Sequence, residues 1–198
     1  MKGTRWLLAG VLAVGLTGGC GKTQKDADAT SKGRIFGVSF QTMNNPFFVD
    51  LNDGLKGVIE AHGDTLLTLD AQWNALKQKN DISDLILKGA SAIFINPVNW
   101  EGIKGSLIQA KQKGIPCIVV DAPVSDQTLV LCTVASDNVK AGRLAAEALA
   151  KAVRPAKLVI LHHSVNKACI DRVAGFREVL GKYADMKIVD VQEGKGTT

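Results

Sequence analysis

Residues 39–54 read SFQTMNNPFFVDLNDG and join the end of an apolar strand to the start of a helix. Asn45 suits the N-cap, where a side-chain oxygen accepts from an otherwise unpaired N–H of the first turn. Pro46 suits the first helical position, because the N–H it lacks would have no partner inside the helix. Two phenylalanines, Phe47 and Phe48, follow at once. A strand that hands over in this way gathers amide groups and flat apolar faces at the carboxyl edge of a sheet, where open α/β sheets bind ligands. A polar ring such as a sugar uses both, through hydrogen bonds to its hydroxyls and an aromatic face against its C–H surface. Adjacent aromatics at a helix start are also ordinary core packing, so both readings of Phe47 and Phe48 stand open.

Downstream the same unit recurs: a short apolar run, a polar elbow, then helical spacing. The pattern predicts strands over 34–40, 65–70, 92–96, 115–121 and 129–136, and helices over 46–62, 74–88 and 100–113. Phe48, Leu51, Leu55, Val58 and Ile59 form one stripe that would bury against a sheet. Gly63, Gly89 and Gly114 each follow a helix, as left-handed C-terminal residues do. Strict alternation of strand and helix implies a parallel sheet with right-handed crossovers and helices on both faces. Its carboxyl edge would carry Gln41 and Thr42, residues 70–72, Asn96 and Pro97, and Asp121, beside Asn45, Phe47 and Phe48. Asp121 follows the buried run PCIVV. It reads either as a turn cap or as an acceptor for two ligand hydroxyls. Beyond residue 136 a helix is expected from Val139, capped by Asn138, then a strand over 157–162, a helix over 168–180 and a strand over 187–191.

Upstream, Lys2 and Arg5 precede an apolar run from Trp6 to Leu16, and small residues lead into Cys20. A run of that length fits the core of a secretory signal better than a membrane span. Residues 1–19 are therefore expected to be a signal peptide. A cysteine directly after small residues resembles the lipobox of bacterial lipoproteins, with Thr17 in place of the usual leucine. Cys20 is the expected site of lipid attachment, and the protein is expected to be exported to the periplasm or cell surface and anchored to the membrane there. Residues 20–33 lack apolar periodicity and read as a flexible tether.

The chain has 198 residues, of which 46% are hydrophobic and 22% charged, enough for packed cores and incompatible with a disordered chain. Its net charge of +5 falls to +3 without residues 1–19, and the remaining charge is too scattered to imply nucleic acid. Cys117 and Cys132 lie in runs expected to be buried strands and read as small hydrophobes, since neighbouring parallel strands are a poor geometry for a disulfide. His162 and His163 with Cys169 do not make a regular metal-ligand set, so they read as a polar strand end and no metal or cofactor is expected. Trp100, after the INP turn at an expected helix start, reads either as a cap on a core edge or as a ring reaching the cleft. The elbow SFQTMNNP is not a phosphate loop, and neither a nucleophile elbow nor an acid–base carboxylate pair is evident, so enzymatic chemistry is not expected.

Taken in order, NNPFF at 44–48, LDAQ at 69–72, INP at 95–97, IPCIVVD at 115–121, ASDN at 135–138 and DRVAGF at 171–176 resemble the sugar-binding proteins of the periplasmic type I class, ribose-binding proteins above all. The resemblance runs from Ile35 to Val191. It implies two Rossmann-like α/β lobes, each a parallel βα sheet, joined by hinge strands and closing on a sugar between them. The implied lobes are residues 34–137 and 138–198, with Ser136, Asp137 and Asn138 at the first hinge crossing. The implied ligand contacts are Asn45 to sugar hydroxyls, Phe47 and Phe48 as ring walls, Asp121 from the first lobe and Arg172 from the second. Gln41 falls where the family often has a small hydroxyl residue. The implied partners are a small-molecule sugar and an ABC transporter permease. Ala122 stands where the ribose-binding pattern has arginine, which removes a donor toward ribose itself. The family's second lobe continues through further βα units that do not follow in this sequence. The expectation is thus a nearly complete first lobe and a partial second one, a truncated or split product. The competing classes are the sensing core of a sugar-responsive repressor, which the export signal argues against, and a sensor lipoprotein signalling to a membrane receptor.

Overall fold

In the computed structural model, which describes residues 33–194, the apolar runs pair as parallel strands. The leader at 1–19, Cys20 and most of the tether lie outside the described residues. The order is β1 Ile35–Phe40, α1 Pro46–Ala61, β2 Thr65–Asp70, α2 Ala75–Leu87, β3 Ala92–Ile95, α3 Lys104–Gln112, β4 Cys117–Val120 and β5 Cys132–Val134. Then follow α4 Asn138–Ala152, β6 Ala156–His162, α5 Lys167–Leu180 and β7 Met186–Glu193. The first five strands form one sheet in the order β2-β1-β3-β4-β5, and β6 and β7 form a second. Every pairing is parallel, with Phe36 opposite both Leu66 and Ala92.

The first sheet is packed on both faces. Val38, Phe40 and Val120 meet Phe48 and Ile59 of α1 in one cluster. Ile93, Ile95 and Val119 meet Ile82 and Leu85 of α2 and Leu107 of α3 in another. A Cβ on Gly37 would lie 2.6 Å from the Leu85 side chain, so the bare glycine lets α2 seat on β1. Gly63, Gly89 and Gly114 close α1, α2 and α3 with φ of 76°, 74° and 70°.

Beside the second sheet, α4 packs on α5 through two glycines. A Cβ on Gly142 would stand 2.0 Å from the Arg172 carbonyl oxygen, and one on Gly175 would stand 2.0 Å from that of Val139. Strand β6 alternates: Leu158 packs against the cluster of Ala150, Leu180 and Met186, while Val159 and Leu161 are 56% and 76% exposed.

The structure departs from the sequence reading at four places. Residues 100–103 form turns before α3 starts at Lys104, because the Asn99 side chain accepts from the Glu101 and Gly102 N–H groups and holds a turn there. Strand β5 is only Cys132–Val134, preceded by a 3-10 turn at Gln127–Leu129 that Asp126 caps, and as an edge strand it leaves Cys132 exposed. Val58 turns away from the buried stripe and is 64% exposed. Asp137, not Asn138, caps α4, accepting from the Lys140 N–H at 2.9 Å.

Candidate functional site

The elbow after β1 forms as its sequence dictates. Asn45 is extended, with φ −137° and ψ 124°, and its Oδ1 accepts from the Phe47 N–H at 3.0 Å. The two phenylalanines then separate. Phe48 is 3% exposed and packs 5.8 Å from Phe40, whereas Phe47 is 53% exposed and meets Phe48 edge-on at 5.2 Å. Phe48 is thus both core and floor, and it props the open face of Phe47.

Behind this elbow lies a buried amide lattice. Asn96, at the end of β3, accepts from the Gln41 N–H at 3.3 Å and donates from Nδ2 to the Val120 carbonyl at 3.3 Å and to Asp121 Oδ2 at 3.1 Å. Gln78 of α2 donates to the Asn96 carbonyl at 2.8 Å and accepts from the Val98 N–H at 2.8 Å. Buried amides satisfied on both ends lock the loops they join. Asp121 sits at φ 67°, a left-handed conformation that turns it out of β4, and its N–H donates to the Val134 carbonyl at 2.8 Å. Burial pushes its carboxyl above the ordinary value, while the Asn96 bond and the Arg172 charge pull it back.

From α5, which follows β6 of the second sheet, come Arg172 and the N-cap Asn166. Arg172 Nε donates to Asn138 Oδ1 at 2.7 Å, and Asn138 Nδ2 donates to the Ser136 carbonyl at 3.0 Å. Asn138 therefore holds the arginine instead of capping its helix; Ser136 and Asp137 lie in the connection from β5 into α4, and Asn138 is the first residue of α4. Asn166 caps α5 through a bond from the Cys169 N–H at 3.2 Å and reaches Gln41 Oε1 from Nδ2 at 3.4 Å.

Gln41, Asn45, Phe47, Phe48, Asp121 and Arg172 all line one cavity of about 360 Å³, within the range of small-ligand sites. Trp73, His163, Asn166, Ala168 and Cys169 complete the lining. The Trp73 and His163 rings lie 5.5 Å apart. Burial lowers the His163 basicity, with the Glu193 carboxylate acting against it and His162 with it. Burial also raises the Cys169 thiol. Trp100 stays outside the cavity, with Lys167 Nζ 5.5 Å over its ring. No group of three or more metal-ligating side chains occurs among the described residues.

Residues 36–198 match the family described as periplasmic binding protein domain. The chain belongs to that family. The ribose import binding protein of Bacillus subtilis (strain 168) is 36% identical over 154 residues, covering 77% of this chain and 49% of the relative. The ribose import binding protein of Escherichia coli (strain K12) is 32% identical over 159 residues, covering 79% of this chain and 53% of the relative. A solved galactofuranose binding protein superposes with a TM-score of 0.77 at 29% identity, over 82% of this chain and 56% of that one. The periplasmic component of the arabinose ABC transporter from Shewanella sp. ANA-3, solved with arabinofuranose, gives 0.74 at 30% identity over 81% and 54%. The chain spans about half the length of the curated relatives it matches. Family membership accords with the parallel α/β fold described above.

Two residues that line the cavity carry no site signal of their own in the sequence. Trp73 follows the LDAQ elbow with no periodic signal, and only its backbone turn brings it to the cavity. The sequence reads His163 as a polar strand end at the cleft edge, and it lines the cavity because β6 stops at His162.

Proposed function

We propose that this chain is the sugar-binding component of an ABC importer and takes a neutral monosaccharide between two lobes, residues 34–137 and 138–198. The carrying observation is the single cavity in which Asp121, Asn45 and Gln41 face Arg172 beside the open ring of Phe47. Carboxylate, amides and guanidinium offer acceptors and donors to several hydroxyls at once, and an aromatic face suits a sugar's C–H side. Opposite charges on Asp121 and Arg172 balance within the cavity, which favours an uncharged ligand. The lobe contacts come from different sheets, so a sugar that bridges them stabilises the closed form, with Ser136, Asp137 and Asn138 as the hinge.

In this reading Cys20 carries a lipid that anchors the exported protein, and the closed form is delivered to a membrane permease. Relatives named for ribose, galactofuranose, D-apiose and xylitol frame the ligand search as pentoses, furanoses and polyols. Thermal melting against that panel tests the proposal. A concentration-dependent rise in Tm with one sugar class is expected. No shift with any member contradicts it.

A further inference from the structure

The Trp73 and His163 rings meet across the two sheets, Trp73 from the elbow after β2 and His163 from the elbow after β6. Their centroids are 5.5 Å apart at 36°, the one aromatic ring pair joining the two sheets among the described residues. Trp73 belongs to none of the three packed hydrophobic clusters. Its position is nonetheless enforced. Gln72 and Trp73 take successive positive φ values of 53° and 57°, a conformation non-glycine residues seldom adopt. Asp70 Oδ1 accepts from the Gln72 N–H at 2.8 Å, and the Trp73 N–H donates to the Gln41 carbonyl at 2.7 Å. On the opposite side, the Ser164 N–H donates to the Glu193 carboxylate at 3.1 Å, which fixes the elbow that carries His163. Both rings line the cavity.

A strained backbone that holds a large ring off the core and against a second sheet points to a role at the cavity. We propose that Trp73 and His163 form an interlobe clasp: the tilted ring pair closes one side of the ligand cavity, Trp73 adds a second aromatic face, and their separation gates ligand release. The clasp rests on the reading of this cavity as a sugar site. It acts on the closed form, so it governs dissociation more than association.

The test is stopped-flow binding of D-ribose and L-arabinose to the wild type, Trp73→Ala, Trp73→Phe, His163→Leu and the Trp73→Ala/His163→Leu double variant. Trp73→Ala is expected to raise the dissociation rate about tenfold with the association rate nearly unchanged. Trp73→Phe should restore most of the loss, and the double variant should release no faster than the worse single one, as coupled partners do. An unchanged dissociation rate in Trp73→Ala overturns the proposal, as do single effects that simply multiply in the double variant. A sugar-free arm separates failure of the clasp from failure of the sugar reading. In a Trp100→Phe background, with Trp6 common to both samples, His163→Leu should alter Trp73 emission. If no sugar of the wider panel binds the wild type but the emission changes, the sugar reading fails and the release role with it, while the ring contact across the two sheets stands. Unchanged emission overturns the clasp whatever the sugars do.

Discussion

At the scale of single residues, Phe47 and Phe48 do different work although they are neighbours in sequence. Phe48→Ala empties a buried site next to Phe40 and should cost about 3–5 kcal/mol of folding stability. Phe47→Ala should cost about 1 kcal/mol or less, and its effect should appear in sugar affinity. Denaturant melts and titration calorimetry on the two variants separate these roles. Asp121 supplies a pH dependence. Its carboxyl is raised by burial, so the folded protein holds this proton to higher pH than the unfolded chain does. Folding stability from this group is therefore present below the ordinary carboxylate value and declines as pH rises through the raised one. Binding runs the other way, because only the ionised carboxylate accepts from two hydroxyls. Sugar affinity should fall on acidification through that raised value, and Asp121→Asn should flatten the profile. Asp121 and Asn45 were legible because they sit at a strand end and a helix start, whereas Arg172, inside α5, was legible only through the resemblance carried by DRVAGF. Asn96 was placed at the right edge, but its bridge from Gln41 to Asp121 spans distant segments and leaves no local pattern.

At the scale of elements, the start of α1 was easiest to read, since Asn45 takes up capping through its own side chain; Asn166 does the same for α5, which begins one residue ahead of the expected start. The misread boundaries share a cause. Asn99 and Asp126 spend their side chains on local backbone N–H groups, which turns expected helix and strand into turn and 3-10 structure. The reading of Asn138 as a cap failed because Asp137 was equally suited and Arg172 claimed the asparagine. The α4–α5 contact depends on glycine. Gly142→Val would drive a side chain into the Arg172 carbonyl and separate the helices. A loss of more than about 3 kcal/mol is expected, with sugar binding lost in parallel because Arg172 shifts. Thermal melting and calorimetry on that variant check both effects.

For the whole molecule, strand–helix alternation was enough to foresee a parallel first sheet covered on both faces. Two sheets meeting at their carboxyl edges were foreseen only through the six motifs in order. The exposed flank of β6 follows from composition less directly, because Val159 and Leu161 look like any core strand residues until their surroundings are known. Apolar side chains in that position favour self-association of the described fold. Sedimentation of the purified chain should show concentration-dependent association that Leu161→Lys weakens. The central claim is that Asp121 and its neighbours form a sugar site rather than a structural elbow. Isothermal titration of the best-binding pentose or furanose into the wild type and Asp121→Ala tests it most directly. The account predicts one-to-one binding by the wild type and at least about a hundredfold weaker binding by the variant, with the ligand-free Tm nearly unchanged. Equal affinity in the two proteins, or a variant that loses binding only because it no longer folds, would contradict it.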